Sequence, residues 1–352
     1  MKKKTVTFGI LGLGRVIEKR VASVFLNELK NSKVLGVFDK NKKKNLFFSK
    51  KFNCPYTESF KGFIKKKYNF IYIATESGNH FKHIELCLEN NHNVIVEKPP
   101  VLKINQLKKL NNLAKKKKLK FYVIFQNRLN KSVSFLKNFI QNKRKNIVFS
   151  SLNLSWSRPQ SYYNDWHGNW KMDGGVASQQ GIHYIDILCF LFGSPLKSIS
   201  HISNKSNNLQ AEDTHSALIV FKNNLTCTCN FTTALRPVDY EASINIVMKD
   251  EILSLGGLCC NKIDHISLKK KHKKNMKLKC RENSEKVKNG YGNSHNKSIQ
   301  SIIDFTLKKK FEKPLTAIET LPSLKLLNMM YMSFEKKKWI KFNDKNISSK
   351  LG

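Results

Sequence analysis

Residues 69–100, NFIYIATESGNHFKHIELCLENNHNVIVEKPP, decide the fold. An apolar run, a polar turn, a stripe of apolar residues at helical spacing and a second apolar run follow one another in this stretch. This order is typical of two parallel strands joined by a crossover helix. Ligands bind such sheets at the carboxyl ends of the strands. Polar residues stand at both of these ends, at 75–80 and 97–98, so we predict a binding site there.

A similar unit opens the chain. An apolar run leads into Gly12-Leu13-Gly14, a helical pattern follows, and a second apolar run ends at Asp39. The glycines allow a tight turn and the close approach of a pyrophosphate, while the acid can accept a hydrogen bond from a ribose hydroxyl. The third position of this fingerprint, usually glycine or alanine, is Ile17. The unit predicts dinucleotide binding, and an ordinary tight turn between strand and helix is the alternative.

These patterns predict an α/β protein of two domains. Strands and helices alternate up to about residue 126, which predicts a doubly wound parallel sheet over residues 1–126. Beyond that point apolar and polar residues alternate, as in 147–156, and this period of two indicates strands with one buried face. We therefore predict an α+β domain over residues 127–352, built on an open, mainly antiparallel sheet. The helix expected at about 318–336 is a candidate to pack back on the first domain.

The second informative stretch is DGGVASQQGIHYIDILCFLFGSP, residues 173–195. Glycines at both ends predict one helix over 176–192. On that helix Gln179, His183 and Asp186 lie on one face, at i, i+4 and i+7. Such a polar stripe either faces water or lines a cavity, and a buried histidine that merely satisfies the core is the alternative without function. The histidine becomes a catalytic candidate because the chain also carries a lysine pinned by a proline at a strand end.

The net charge of +39 could indicate nucleic-acid or anionic-membrane binding. However, 57 of the 64 basic residues are lysine, and the lysine triplets fall near the ends of predicted helices, where cations complement the helix dipole. We therefore predict no specific nucleic-acid partner. No apolar run is long enough to span a bilayer, so we predict no membrane association and a cytoplasmic protein. The eight cysteines form no CxxC pair, which predicts reduced thiols and no metal site.

Taken together, these motifs resemble the glucose-fructose oxidoreductase, inositol dehydrogenase and MocA-like family (Gfo/Idh/MocA). The shared elements are GILGLGRV at 9–16, IAT and NH within 73–80, EKPP at 97–100, and GG followed by GIHYID within 174–186. The resemblance implies a Rossmann domain followed by an α/β domain, whose open sheet often forms a dimer or tetramer interface. It also implies NAD or NADP as cofactor, oxidation or reduction of a sugar or cyclitol carbon, and a cis bond before Pro99.

The resemblance further implies roles for single residues. Expected to bind the cofactor are Gly12, Gly14, Arg15, Val16, Asp39, Ala74, Thr75, Asn79, His80, Glu97, Lys98 and Gln126. Expected to bind the substrate are Arg128, Trp166, Asp173, His183 and Tyr291. The expected catalytic residues are Lys98, His183 and Gln179, although many relatives have an aspartate in place of the glutamine. Asp39 favours NAD because a carboxylate repels a 2'-phosphate, while the lysines that follow it leave NADP open.

The predicted function is hydride transfer between a nicotinamide and a carbinol carbon of a sugar. His183 would be the general acid/base, and Lys98 would stabilise charge on the same oxygen. Residues 158–175 and 291–295 are similar to the branch of sugar-nucleotide and surface-polysaccharide enzymes, which implies a nucleotide-linked sugar as substrate and a homodimer or homotetramer. An inositol or polyol dehydrogenase is the alternative. The alternative of another class is a non-catalytic dinucleotide-binding regulator, which should have lost both the lysine and the histidine.

Overall fold

The structure is a computed structural model that describes residues 4–268, 276–310 and 312–352. It divides into two compact units, one of Met1–Gln126 with Ser294–Thr320 and one of Asn127–Asn293 with Leu321–Gly352. The described strands are β1 (Val6–Leu11), β2 (Ser32–Phe38), β3 (Phe70–Ile73), β4 (Asn93–Glu97), β5 (Phe121–Ile124), β6 (Ile147–Ser155), β7 (Pro195–Ser203), β8 (Thr214–Phe221), β9 (Thr226–Thr232), β10 (Glu241–Met248), β11 (Ile252–Gly256), β12 (Lys262–Ser267) and β13 (Ile340–Lys341). The described α-helices are α1 (Lys42–Phe52), α2 (Phe60–Ile64), α3 (His80–Glu89), α4 (Ile104–Lys116), α5 (Lys131–Ile140), α6 (Ile182–Phe192), α7 (Met276–Glu282), α8 (His295–Thr306) and α9 (Leu321–Lys336).

The first unit is built on a parallel sheet with the strand order β2-β1-β3-β4-β5. Every residue of β3 and β5 is buried, as expected for strands that are covered by helices on both faces. The direction of the strand order reverses between β1 and β3, so the topological switch point of this sheet lies there. The predicted doubly wound sheet is confirmed.

The chain after β1 forms two π-helical turns, Ile17–Val21 and Val24–Glu28, where the sequence pattern predicted a regular helix. Their buried side chains still form one apolar face, because Phe25 packs edge-on against the rings of Phe8 and Tyr72 at 5.0 and 5.7 Å between ring centroids. The helix therefore covers the sheet as expected, with a different hydrogen-bond pattern.

One segment departs from the predicted domain boundaries. Residues 294–320 come late in the chain but belong to the first unit, so the second unit is not continuous over 127–352. The reason is apolar packing of α8 into the core that β1 and β3 share. The isoleucines of α8 buried in that core are Ile299, Ile302 and Ile303.

Helix α9 lies in the region that was expected to pack back on the first domain. It belongs to the second unit, and its packing on the first domain stays a prediction. There the Ser200 hydroxyl of β7 donates to the Met330 carbonyl of α9 at 2.5 Å, and the Ser200 amide donates to the Ser333 hydroxyl at 3.0 Å. Most of its side chains are buried, and two-sided burial of this kind is typical of a helix inside a domain.

The second unit contains a sheet of eight described strands in the order β12-β11-β10-β6-β9-β8-β7-β13. Neighbours pair antiparallel except β6 and β9, which are parallel, so the predicted mainly antiparallel sheet is confirmed. Along β6, Leu152 and Leu154 are buried whereas Ser151 and Asn153 are half-buried, which is the expected alternation for a sheet with one core face. Within the described parts of the chain, no helix combines the length and the apolar character that crossing a bilayer requires.

Candidate active site

The turn after β1 has the shape of a phosphate-binding turn. Gly12 has a φ of +85°, and a Cβ there would lie 2.7 Å from the main chain of Ala74 and Thr75, so only glycine fits. Gly14 is different, because the nearest protein atom to an added Cβ would be the Ala74 carbonyl oxygen at 3.9 Å. Apart from the chain neighbours of Gly14, the described residues therefore place no side chain within 4 Å of this position, as close approach of a pyrophosphate to the main chain requires.

Asp39 follows β2 and lies against this turn. Its Oδ2 accepts a hydrogen bond from the Leu13 amide at 2.7 Å, and its Oδ1 accepts one from the Asn41 amide at 2.8 Å. The Asn45 side chain fixes the Asp39 main chain by accepting from its amide at 2.6 Å. Each carboxylate oxygen keeps a second lone pair, which a ribose hydroxyl can use. The glycine turn and the acid therefore fit the dinucleotide that the sequence predicted.

The lysine that follows Asp39 is held by an ion pair. Lys40 Nζ donates to Glu76 Oε1 at 2.7 Å, and Asn79 donates to Glu76 Oε2 at 3.1 Å. Burial acts to raise the pKa of Glu76, but the hydrogen bonds from Lys40 and Asn79 outweigh it and lower the pKa to about 2. Glu76 is therefore ionised at neutral pH and neutralises the lysine that could otherwise attract a 2'-phosphate.

Two histidines organise the segment after β3. His83 Nδ1 is 2.9 Å from the Thr75 hydroxyl, and burial lowers the pKa of His83 to about 4, so it is neutral at neutral pH. The His80 ring is buried, with Nδ1 2.7 Å from the Pro99 carbonyl oxygen and Nε2 3.0 Å from the Thr75 carbonyl oxygen. Both nitrogens of His80 thus face main-chain oxygens, although a direct cofactor contact was expected of this residue.

The EKPP motif at 97–100 begins with a buried carboxylate at the end of β4. Glu97 is buried, accepts a hydrogen bond from the Tyr72 hydroxyl at 2.6 Å, and has His295 Nε2 3.6 Å from its Oε1. Burial acts to raise the pKa of Glu97, but His295 and Tyr72 outweigh it and lower the pKa below its usual value. The Lys98–Pro99 bond that follows is cis, as expected. The sequence analysis had not singled out Tyr72 or His295, although His295 ends the stretch 291–295 that resembles sugar-nucleotide enzymes.

All of the expected cofactor-binding residues lie in the first unit, after the strands of one parallel sheet. In such a sheet the carboxyl ends of the strands meet at one edge, so the structure brings these positions to a common edge. They are Gly12, Gly14, Arg15 and Val16 after β1, Asp39 after β2, Ala74, Thr75, Asn79 and His80 after β3, Glu97 and Lys98 at the end of β4, and Gln126 after β5.

The helix that carries His183 begins differently from the prediction. Residues 177–181 form a π-helical turn, and the α-helix starts only at Ile182. Glu212 fixes this beginning, since its carbonyl accepts from the Val176 amide at 2.9 Å and its carboxylate accepts from the Ala177 amide at 3.2 Å. A Cβ on Gly175 would lie 2.0 Å from that carboxylate, which explains the glycine. Single π-helical turns are frequent at functional sites.

The polar stripe of this helix faces inward. Gln179, His183 and Asp186 are 9%, 7% and 0% exposed, so the alternative of a solvated stripe is wrong. Asp186 forms a bidentate pair with Arg128, whose Nε and Nη2 lie 2.5 and 2.6 Å from the two carboxylate oxygens. Ser323 also donates to Asp186 at 2.7 Å. The guanidinium expected to bind substrate is thus engaged by a buried carboxylate.

The loop over residues 158–175, called the aromatic loop below, packs onto Gln179. The Gln179 amide donates to the Tyr162 hydroxyl, and the Gln180 amide donates to the Gln179 oxygen. The centroid of the His167 ring lies 4.3 Å from that of Tyr162 and 3.9 Å from that of Trp166. The Nδ1 of His167 contacts Asp165. Gln179 therefore positions an aromatic group in the second unit.

The other expected substrate residues divide by burial. Asp173 is buried and accepts a hydrogen bond from the Gly168 amide at 3.3 Å, which is a role in holding the loop. Trp166 and Tyr291 are half-buried. Lys98 belongs to the first unit and His183 to the second, and their approach to one nicotinamide stays a prediction. No group of histidine, cysteine, aspartate and glutamate suited to a metal ion occurs within 4–268, 276–310 and 312–352.

Two family models match the chain. The first is described as the oxidoreductase family, NAD-binding Rossmann fold, and matches residues 6–125. The second is described as the oxidoreductase family, C-terminal alpha/beta domain, and matches residues 140–342. Together the two models account for most of the chain.

Individual relatives and solved structures are more distant. The glucose-6-phosphate 3-dehydrogenase of Bacillus subtilis (strain 168) is 24% identical over 257 residues, which are 68% of this chain and 71% of that protein. The WlbA dehydrogenase from Bordetella pertussis, in complex with NADH and UDP-GlcNAcA, has a TM-score of 0.88 at 24% identity, covering 97% of this chain and 99% of that one. The apo scyllo-inositol dehydrogenase from Lactobacillus casei has a TM-score of 0.76 at 18% identity, covering 98% and 100%. These structures show a common fold.

Proposed function

This chain belongs to the Gfo/Idh/MocA oxidoreductase family, as its motifs predicted, and from that premise we propose that it oxidises or reduces a carbinol carbon of a nucleotide-linked sugar with NAD. The observation that carries the choice of substrate is the likeness, along nearly the whole chain, to WlbA bound to NADH and UDP-GlcNAcA. The NAD-binding Rossmann fold is a property of the family itself.

The first unit has the residues to hold this cofactor. Gly12 and Gly14 open the main chain to the pyrophosphate, and Asp39 accepts from the adenosine ribose. The ion pair between Lys40 and Glu76 supports NAD over NADP, because it occupies the nearest lysine to Asp39. When bound, NAD accepts the hydride that leaves the sugar carbon.

Side chains of the protein transfer the hydroxyl proton of the substrate and stabilise the charge that its loss creates. His183 takes the proton of the reacting hydroxyl, since imidazole is the side chain whose charge changes near neutral pH. Lys98 donates a hydrogen bond to the same oxygen and stabilises its developing negative charge. Gln179 is assigned to positioning, because its amide holds Tyr162 of the aromatic loop.

The aromatic loop supports a substrate with a flat base. Trp166 is half-buried and stacks on His167 at 3.9 Å, with the two rings 25° apart, and we assign its exposed part to contact with a planar group. Nearby in the loop, Arg158 is held by Asp239 at 2.8 Å and lies over the Trp156 ring. A nucleotide-linked sugar offers the planar base that suits this loop.

The test is a screen of candidate substrates against the purified protein with NAD and with NADP. The absorbance of the reduced nicotinamide reports turnover. The panel contains UDP-GlcNAcA, its counterpart without the sugar carboxylate UDP-GlcNAc, glucose 6-phosphate and scyllo-inositol. We expect kcat/KM with a UDP-sugar to exceed the value with scyllo-inositol by at least about tenfold, or ~1.4 kcal/mol of transition-state binding. A preference for scyllo-inositol would replace this proposal with the polyol dehydrogenase. Tight NADH binding without turnover of any sugar would support the regulator.

The outward face of the second unit's sheet supports self-association. Asn153, Asn230 and Ser216 of neighbouring strands form a row of side-chain hydrogen bonds at 3.1 and 2.9 Å, and Phe149 beside them is 46% exposed. We assign this face to a homodimer or homotetramer contact.

All eight cysteines are free thiols and seven are buried, which supports a reducing compartment such as the cytoplasm.

A further inference from the structure

His80 opens α3, and its ring joins two segments of the first unit. Thr75 follows β3, and Pro99 follows Lys98 after β4. The carbonyl oxygens of Pro99 and Thr75 lie 2.7 and 3.0 Å from the two ring nitrogens of His80. The residue is 1% exposed, so water cannot replace these contacts.

Strands β3 and β4 no longer pair with each other where the segments that carry Thr75 and Pro99 begin. The last paired residues are Ile73 and Val96, and beyond them the ladder of β3 and β4 ends. Pro99 is buried and Thr75 is half-buried. A carbonyl that is shielded from water and has no donor is costly, so the chain needs another donor at this place. Imidazole suits it, because its two nitrogens point away from each other and reach both segments at once.

The protonation of His80 decides how the bridge is made. Burial lowers the pKa of His80, although both carbonyl oxygens act to raise it. A neutral ring donates its single N–H to one of the two carbonyl oxygens, and only the protonated ring donates to both. A ring without any N–H could not make this bridge.

We propose that His80 is a positioning residue, whose imidazole ties the segment after β3 to the segment after β4 and so fixes the seat of the nicotinamide cofactor. The residue acts through the main chain of Thr75 and Pro99 rather than by touching the cofactor. This inference rests on the NAD-binding part of the proposed function and is independent of which sugar is the substrate.

Chemical rescue tests the proposal. His80→Gly removes the ring, and we expect its NADH affinity, measured by fluorescence titration, to fall on the order of tenfold. Added imidazole, which has an N–H, should restore the affinity to within about threefold of the wild type. Added 1-methylimidazole, in which a methyl group replaces the hydrogen of the N–H, should restore little. Because the titration contains no sugar, a wrong substrate assignment would leave this result unchanged.

A second buried histidine supplies the matched control. His92 lies just before β4 at the amino end of that strand, is 6% exposed, and has Nε2 2.7 Å from the Ile64 carbonyl oxygen. His92→Gly removes the same ring from the same unit, so general loosening of the fold should affect both variants alike. We expect His92→Gly to keep the wild-type NADH affinity with and without imidazole.

Three outcomes would overturn the proposal. They are a wild-type NADH affinity in His80→Gly, equal rescue by imidazole and 1-methylimidazole, and an equal loss in His92→Gly. If His80→Gly fails to fold, His80→Gln is used, since its amide can donate to one carbonyl. That variant should keep the fold and bind NADH more weakly than the wild type, and hydrogen exchange should rise at residues 75–80 and 98–101. Unchanged exchange there would count against the bridge.

Discussion

Arg128 and Asp186 form a buried ion pair, and replacing Arg128 with methionine tests how the helix of His183 is held. The arginine side chain is 14% exposed and the aspartate side chain is 0% exposed. Arg128→Met removes the two hydrogen bonds that Asp186 accepts from the guanidinium and leaves the carboxylate buried, with Ser323 still donating to it. We expect a large loss of stability in the second unit.

The magnitude follows from the burial of the pair. Removing one partner of a buried ion pair costs about 3–5 kcal/mol, because the other charge loses its compensation and stays out of water. The small exposure of the arginine and the remaining serine place this case at the lower end, at about 3 kcal/mol. Replacing both partners by apolar residues is often nearly neutral, so Arg128→Met with Asp186→Leu should recover most of the loss.

Urea unfolding followed by tryptophan fluorescence measures this directly. All four tryptophans, at positions 156, 166, 170 and 339, belong to the second unit. The matched control is Arg281→Met on α7, an exposed arginine of the same unit, which should change the unfolding free energy by less than about 0.5 kcal/mol. A loss below about 1 kcal/mol in Arg128→Met, or a double variant less stable than the single one, would refute the reasoning.

Two further predictions concern the first unit. Glu76→Gln should free Lys40 and raise NADPH affinity relative to NADH by about two- to fivefold, a surface-pair energy of ~0.5–1 kcal/mol, and fluorescence titrations with an unchanged ratio would argue against it. The folded-state pKa of His83 is about 4 against an ordinary 6.5, so the folded state binds fewer protons and stability should fall as pH drops through this window. His83→Gln should flatten that fall in denaturant titrations followed by circular dichroism, and an identical slope would contradict the assignment.

Local pattern was sufficient where a residue's role depends on its neighbours in sequence. The glycine turn and Asp39 after β2 follow from a short motif, the cis bond at Lys98–Pro99 was implied by the family resemblance, and the structure agrees with all three. The polar stripe of Gln179, His183 and Asp186 could be predicted from the sequence, but whether it faces the core or the solvent could not. Periodicity identifies the faces of a helix, whereas the partner of each face is a property of the tertiary fold.

Contacts between distant parts of the chain could not be predicted in this way. His295 meets Glu97 only because α8 returns to the first unit, and nothing in the local pattern of α8 says which core receives its isoleucines. The π-helical turn before α6 likewise depends on Glu212, a residue of another segment, which accepts from the first amides of the helix. These residues hold the site residues in place through contacts between distant parts of the chain, whereas the sequence motifs identify mainly the site residues themselves.

The central claim is that Lys98 and His183 act on the same oxygen of the substrate. Its most direct test is the rate of NAD reduction, under single-turnover conditions with the preferred sugar, in Lys98→Met, His183→Gln and the double variant. The account predicts that each single change lowers the rate at least about a thousandfold, or ~4 kcal/mol, with NAD affinity nearly unchanged. It also predicts a double variant no slower than the slower single one, because both residues serve one step. A Lys98→Met rate above about a tenth of the wild type, or losses that multiply in the double variant, would contradict it.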